Sequence, residues 1–510
     1  MMNVRTTTGY SLRQLLDGFA VAGDVPDMPV AGLSMDSRMV AAGDLFLAAA
    51  GGQTHGLQFA RQAVDNGAIA VLAESTSQWL PENIARLQQE LAVPCLAMSD
   101  LGLNISRIAG RFYQHPSRQI PVIGITGTNG KTSCSQFIAQ AFAGQRKVAV
   151  MGTLGNGFPG QLTSSTHTTM DPVSLQAGLA LLLAQQAEMV AMEVSSHALH
   201  QGRVADIDFD VAVLTNFSRD HLDYHGTMTD YANAKSLLFR MPQIRCSIIN
   251  ADDELGLRLL RDLRGSHARL IAYAVDHKVD TNSVAAWLRA EDIKADHSGL
   301  CFTLRSSWGE AEVSVALMGR FNIYNLLVTL GVLLECGVPF AEAVQRLQQL
   351  QTVTGRMQLF GGADLPTVVV DFAHTPDALQ QALSTLREHT AGELVCVFGC
   401  GGDRDAGKRP QMGAIAEKLA DVVVLTDDNP RTEDGDAIIA DIRAGMQQDK
   451  TLLVERNRAL AIRNAITAAQ LGDLVLVAGK GHEAYQIYGD IKQPFSDQEV
   501  VGKVLRELSA

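Results

Sequence analysis

A run of glycines and hydroxyls around one lysine, Gly124-Ile125-Thr126-Gly127-Thr128-Asn129-Gly130-Lys131-Thr132, carries the sharpest chemical signal in the chain. Glycines let the backbone curl so that amide hydrogens converge on phosphate oxygens, and a helix start behind them adds its positive end. Lys131 is placed to neutralise β- and γ-phosphates, and Thr132 to offer a hydroxyl to Mg²⁺. The spacing is looser than the common form, because Ile125 stands five before Gly130 and Gly124 lies one residue farther off. Such a loop says only that a nucleoside triphosphate is used. Switch GTPases, kinases, motors and ligases all qualify, and a structural turn is the plainer alternative.

Glu193 ends an apolar stretch and is followed by Ser195, Ser196 and His197. A carboxylate there suits Mg²⁺, a hard cation that takes oxygen ligands; a turn cap is the other reading. Asn216 and the run Arg219-Asp220-His221-Leu222-Asp223-Tyr224-His225-Gly226 crowd titratable groups beyond another strand, for metal and phosphate handling or as a solvated loop. Lys235, within Tyr231–Phe239, reads from its neighbours as a lysine snorkelling from an amphipathic helix. Near the start, Ser34-Met35-Asp36-Ser37-Arg38 reads as a capped surface turn. Four polar clusters lie in the last third: Asp371–Pro376, Gly399–Pro410, Asp428-Asn429-Pro430-Arg431 and Gly479–Glu483. Each follows a predicted strand, so together they should gather along one sheet edge as a second binding surface.

The elements that must position these residues follow from hydrophobic pattern. Ser11–Leu16 and Ala60–Asn66 read as helices, Leu45–Ala49 as a short apolar run, and Ala68–Leu72 as a strand ending before Glu74. Strands are predicted at Ile120–Thr126, Val148–Met151, Met189–Val194, Val211–Thr215 and Cys246–Asn250, with helices at Ser133–Ala143 and Asn322–Leu334. Strands at Thr367–Asp371, Leu394–Phe398, Val422–Leu425 and Leu474–Val477 alternate with helices at Ala378–Leu386, Met412–Leu419 and Ala437–Ala444. This is the rhythm of βαβ units and a mostly parallel sheet. At 510 residues the chain has length for three to four domains. No run of eighteen uncharged apolar residues suggests a membrane span. A net charge of −13 argues against nucleic-acid binding without excluding a basic pocket for an anion. Seven scattered cysteines and no signal-peptide succession at the start fit a reducing cytoplasm.

Taken together, the motifs resemble the Mur ligases, ATP-dependent amide-forming enzymes of bacterial peptidoglycan precursor synthesis. The resemblance runs from Asp36-Ser37-Arg38 to Gly479–Glu483, essentially the full chain. The Gly-Thr-Asn-Gly-Lys-Thr loop is shared with folate polyglutamate ligases, whereas Asp428–Arg431 goes, within the family, with meso-diaminopimelate rather than lysine. The resemblance implies a three-domain α/β fold: a small N-terminal α/β domain over 1–99, a central P-loop-type parallel-sheet ATPase domain over 100–351, and a C-terminal Rossmann-like α/β domain over 352–510. These domains would bind the UDP substrate, ATP and the incoming amino acid respectively.

Residue by residue, the family's pattern implies that Gly127, Thr128, Asn129, Gly130, Lys131 and Thr132 hold ATP phosphates. Thr132, Glu193, His221 and a carbamylated Lys235 would hold Mg²⁺. Asn322, Asn325, Arg356, Asp371 and His374 would contact the rest of the nucleotide. Ser37 and Arg38 are similar to residues that cradle the UDP end of the substrate, and Thr168, Thr169, Ser195 and Arg203 to those on its muramoyl-dipeptide. Arg404, Asp428, Asn429, Pro430, Arg431, Gly479 and Glu483 look like the diaminopimelate pocket. An arginine pair can fork onto a carboxylate there, and Glu483 can meet an ammonium. The implied substrates are UDP-N-acetylmuramoyl-L-alanyl-D-glutamate and meso-diaminopimelate, joined through an acyl phosphate by a cytoplasmic monomer, with neither nucleic acid nor membrane as partner. A folate polyglutamate ligase, a lysine-adding relative and a P-loop switch are the rival readings.

Overall fold

The computed structural model describes residues 9–509 except 53, 166, 278, 297, 354, 356, 363 and 448–450. The chain divides into two compact units, Met1–Ala272 with Asp280–Ala285, and Tyr273–Val279 with Ala286–Ala510.

In the first unit, strands β1 (Val21–Ala22), β2 (Gly32–Ser34), β3 (Asp44–Ala48), β4 (Ala70–Glu74) and β5 (Cys95–Met98) form a sheet in the order β1-β5-β4-β3-β2. All its pairings are parallel except that of β1. The helix Leu12–Leu16 opens on the expected Ser11, which forms a capping box with Gln14. Strand β4 begins at Ala70 rather than Ala68 and takes in Glu74, because pairing with β5 continues through Glu74 and Met98.

A second sheet holds β6 (Val122–Thr126), β7 (Val148–Gly152), β8 (Gly155–Phe158), β9 (Gln161–Thr163), β10 (Met189–Glu193), β11 (Val211–Leu214) and β12 (Cys246–Asn250), in the order β12-β11-β6-β10-β7-β8-β9. The five strands from β12 to β7 run parallel, so their carboxyl ends open along one edge. Strand β6 lies in the middle, with every residue buried. Gly124 on it permits close packing: a Cβ there would stand 2.7 Å from the Phe209 ring. Strand β13 (Arg269–Ala274) then carries the chain into the second unit.

The second unit opens with β14 (Ala286–Asp296), β15 (Gly299–Ser306) and β16 (Gly309–Val315), an antiparallel meander absent from the sequence reading. The apolar helix Phe321–Glu335 follows, one residue longer at each end than expected. Strands β17 (Gln358–Gly362), β18 (Leu365–Asp371), β19 (Leu394–Phe398), β20 (Val422–Leu425), β21 (Thr451–Val454) and β22 (Leu474–Ala478) make a sheet in the order β17-β18-β22-β19-β20-β21. Only β17 is antiparallel. Alternation sends Val369, Phe398, Leu425 and Leu476 to one face, with Leu383 and Met412 of the flanking helices. Val368, Val397 and Val475 go to the other, with Ile462 and Val501. Helices therefore cover both faces, as a doubly wound sheet requires. A hairpin of β23 (Tyr485–Tyr488) and β24 (Ile491–Pro494) stands apart from it. Among the described residues the three sheets of more than two strands go with the three-domain α/β architecture expected from the sequence. Among the described residues no helix is long and apolar enough to cross a membrane, and all seven cysteines are free thiols.

Candidate active site

Where β6 ends, the backbone turns through Gly127 at φ 150° and Gly130 at φ 85°, and the helix Lys131–Ala141 begins. Gly130 occupies the left-handed region open to glycine. A Cβ on Gly127 would lie 1.8 Å from Thr215 Oγ1, so the loop can seat here only without a side chain. The end of β11 clamps the loop from outside. Thr128 N–H donates to the Asn216 carbonyl at 2.8 Å, Asn129 N–H to Asn216 Oδ1 at 2.8 Å, and Thr215 Oγ1 to the Asn129 carbonyl at 2.6 Å. Lys131 folds back over the loop, donating to the carbonyls of Gly127 and Thr128 at 2.9 Å each. Glycine-shaped amides with a lysine across their mouth fit a triphosphate.

Glu193, at the end of β10, is buried at 1% exposure. Its Oε2 accepts from Thr132 Oγ1 at 2.9 Å and Thr153 Oγ1 at 3.0 Å, and its Oε1 from Thr153 N–H at 3.0 Å. Burial pushes its carboxyl up from the ordinary range, opposed by the charge of Lys131 and those hydrogen bonds. With its one hydroxyl hydrogen on Glu193, Thr153 Oγ1 is left to accept from Thr168 Oγ1 at 3.1 Å. Thr169 Oγ1 donates to the Glu193 carbonyl at 3.0 Å and meets Ser195 Oγ at 3.2 Å, while Arg203 Nη1 donates to the Thr169 carbonyl at 2.9 Å. Thr132, Glu193, Thr168, Thr169, Ser195 and Arg203 thus form one connected network. Thr153 is the member that sequence reasoning missed; its position directly beyond β7 was the available signal.

Lys235 is 1% exposed. Its Nζ stands 4.5 Å from the Tyr231 ring centre, and no hydrogen bond to it is formed among the described residues. Burial first, and the charge of Lys131 second, hold its amine well below the usual lysine range. His221 rests against the same Tyr231 ring at 6.0 Å and against His197 at 4.9 Å. Burial, with His221 and His225 beside it, pushes His197 down to about 4, so its imidazole is neutral at pH 7. Among the described residues no three His, Cys, Asp or Glu side chains converge as a metal cage. The donor chemistry is that of Mg²⁺, which is commonly bound by one or two protein oxygens together with phosphates and water, and Thr132 with Glu193 supplies such oxygens.

Ser37 is buried, with Oγ donating to Gln62 Oε1 at 2.7 Å, while exposed Arg38 forks onto Asp36 at 2.9 and 2.7 Å. In the second unit, Asn322 Nδ2 donates to the Met318 carbonyl at 2.8 Å and Asn325 Nδ2 to Asn322 Oδ1 at 2.9 Å. Asp371 Oδ2 accepts from Met357 N–H at 2.7 Å, and exposed His374 lies against Phe372, their ring centres 4.5 Å apart. Arg356 lies outside the described residues.

The four polar clusters of the last third follow β18, β19, β20 and β22, adjacent strands whose parallel pairing brings their carboxyl ends to one edge. Arg431 Nη1 donates to the Gly402 carbonyl at 2.6 Å. A Cβ on Gly401 would meet Arg431 Nη1 at 2.9 Å and Arg404 Cγ at 3.7 Å, so both arginines flank this glycine. Arg431 has φ 53°, unusual for a residue with a side chain. Its N–H donates to the Ile487 carbonyl at 3.0 Å and its carbonyl accepts from Gly489 N–H at 2.7 Å, so the hairpin holds it from both sides. Asn429 Nδ2 donates to Glu483 Oε2 at 3.0 Å. Asp428 is buried, its carboxyl raised by that burial against the pull of Arg458 and Lys480, and Gly479 leaves it room. Beneath lies a sealed ion pair: Arg458 Nε and Nη2 donate to Asp497 at 2.7 and 2.8 Å, both side chains at 0% exposure.

Comparison with known proteins finds relatives along the whole chain. Residues 29–101 match the Mur ligase family catalytic domain, 125–333 the Mur ligase middle domain, and 355–481 the Mur ligase glutamate ligase domain. The chain is 46% identical over 498 residues to the UDP-N-acetylmuramoyl-L-alanyl-D-glutamate–2,6-diaminopimelate ligase of Coxiella burnetii, covering 98% of this chain and 100% of that protein. It is 49% identical to the Pseudomonas aeruginosa protein of the same name, covering 94% of this chain and 96% of that one. A solved structure with that name superposes at TM-score 0.73 and 34% identity, over 99% of this chain and 100% of the other.

Proposed function

The chain belongs to the Mur ligase family, and from that premise we infer that it adds meso-2,6-diaminopimelate to UDP-N-acetylmuramoyl-L-alanyl-D-glutamate, using ATP, in peptidoglycan precursor synthesis. The observation that favours diaminopimelate is the meeting of the Asp428–Arg431 and Gly479–Glu483 loops, an arginine and a carboxylate on one sheet edge. A fixed guanidinium suits the second carboxylate of this amino acid, and Glu483 suits an ammonium. Lysine would leave the arginine without its partner.

The reaction begins as the γ-carboxylate of D-glutamate attacks the γ-phosphorus of ATP, releasing ADP and forming an acyl phosphate. The amine of diaminopimelate then attacks the acyl carbon, and the tetrahedral adduct collapses to amide and phosphate. Activation is needed because a carboxylate is a poor acyl donor at neutral pH. The loop amides and Lys131 hold the phosphates and offset charge that grows on them. Mg²⁺, when bound, supplies Lewis-acid neutralisation of the phosphoryl oxygens. Thr132 and Glu193 would hold it, and by the family's pattern His221 and Lys235 would join them. The enclosed amine of Lys235, its proton affinity lowered by burial, is suited to adding CO₂, losing a proton to become an anionic carbamate that can ligate a hard cation. By the family's pattern Asn322, Asn325, Arg356, Asp371 and His374 would contact the nucleotide, while Ser37 and Arg38 would take the UDP end of the substrate. Thr168, Thr169, Ser195 and Arg203 position its dipeptide portion. The protein works as a cytoplasmic monomer, without nucleic acid or membrane. ADP release, measured with the UDP-muramoyl dipeptide and one amino acid at a time, should depend on diaminopimelate. Equal release with L-lysine would overturn the assignment.

A further inference from the structure

Between Gly479 and Glu483 stands a lysine that the sequence reading passed over. Lys480 has a side chain at 0% exposure. An ammonium so enclosed is unfavourable unless partners surround it. Its Nζ donates to Asn429 Oδ1 at 3.1 Å and to Glu483 Oε2 at 2.9 Å. Asn429 Oδ1 accepts a second hydrogen bond, from Ile487 N–H at 3.0 Å. With two donors on the oxygen, the amide can face only one way, and Nδ2 is turned onto Glu483 Oε2 at 3.0 Å. One buried cation therefore orients both an amide and a carboxylate on neighbouring loops.

We propose that Lys480 is a positioning residue for the incoming amino acid: it fixes the amide face of Asn429 and holds Glu483 as a hydrogen-bonded carboxylate aimed at the substrate ammonium. This rests on reading these loops as the amino-acid site. Burial alone would push the Glu483 carboxyl up, but the hydrogen bond and charge of Lys480, with Asn429 and His482, outweigh it and leave the group below its usual range. The other charged or titratable groups facing the cluster are Asp428, Arg458 and Tyr485. Lys480 also lies over the Tyr485 ring at 5.5 Å.

The test replaces the cation with an apolar chain of similar length, Lys480→Met. Without Lys480, burial dominates and Glu483 takes up a proton nearer neutrality. Only the ionised form attracts an ammonium, so the KM for diaminopimelate should rise about 30-fold at pH 7. The deficit should shrink as pH is raised from about 6.5 to about 8.5, while the KM for ATP stays put. A deficit that is flat with pH, or an equal rise in the KM for ATP, marks a merely structural role and overturns the proposal. Glu483→Gln separates the premise from the inference. If it leaves the diaminopimelate KM unchanged, the amino-acid-site reading fails; if it raises that KM while Lys480→Met does not, only the role of Lys480 fails. Lys480→Gln, which retains a donor without charge, should show the same pH trend with a smaller deficit. Should neither lysine variant fold, the ¹³C carboxylate resonance of Glu483 in the unmodified protein, assigned by its loss in Glu483→Gln, should titrate below the ordinary 4.5. Titration above that value overturns the proposal.

Discussion

Around Lys131 the ordered polar atoms are mostly backbone amides, carbonyls and threonine hydroxyls, and the lysine itself leans on two carbonyls of its own loop. Around Glu483 the charges are already matched: Lys480 on Glu483, Arg458 on Asp497, Arg456 on Asp427. The contrast tracks the ligands each region is read to take. A triphosphate with its cation brings enough charge to organise a loop of amides, and it overcomes the raised proton affinity of a buried carboxylate such as Glu193. A small zwitterion brings only single charges, so its receptor must be organised beforehand to discriminate between similar amino acids.

The contrast breaks most visibly at Lys131. Lys131→Ala should lower the rate of ADP formation about 10³-fold with its thermal midpoint nearly unchanged, since the two carbonyls it meets belong to its own loop. A large loss of thermal stability in a melting curve would mean that this loop, too, is held together by charge. Lys235→Ala should cost roughly 100-fold, partly restored by added small carboxylates in an activity assay. No response to carboxylate would remove the support for a carbamate. The smallest effect belongs to the pre-ordered side. Arg431→Ala should raise the KM for diaminopimelate about 30-fold and leave the KM for ATP alone. Equal changes in both constants would show that the arginine supports the fold rather than the ligand.

Much of this arrangement is legible from residues alone where burial and period agree. Strands Leu394–Phe398 and Val422–Leu425 lie where their apolar runs put them. Because β18, β22, β19 and β20 are adjacent and parallel, the polar clusters after them meet, as strand-end reasoning requires. The hairpin Tyr485–Pro494 escaped notice because β24 is exposed throughout and carries no alternation of apolar and polar residues. Lys480 escaped because a lysine between glycines looks like a solvated turn until Asn429, fifty-one positions earlier, is placed beside it. Thr153 shares that difficulty in part: its place beyond β7 was a signal, but its hydrogen bond to Glu193, forty positions on, is one that no local pattern records. Lys235 shows the opposite case, where local pattern suggested a snorkelling chain and the fold encloses it instead.

The hairpin's grip on Arg431 has a consequence for how the protein could be altered. Both the amide and the carbonyl of this residue are bonded to a segment more than fifty positions downstream, so the guanidinium's aim is not a property of its own loop. Grafting Asp428–Arg431 onto a relative with another amino-acid preference would transfer the letters without the left-handed backbone. A transplant that carries Gly399–Arg404, Asp428–Arg431 and Gly479–Pro494 together would move the three strand-end loops and their brace as one inheritable cassette. Recombination within that set should yield folded proteins that bind neither parent's amino acid well.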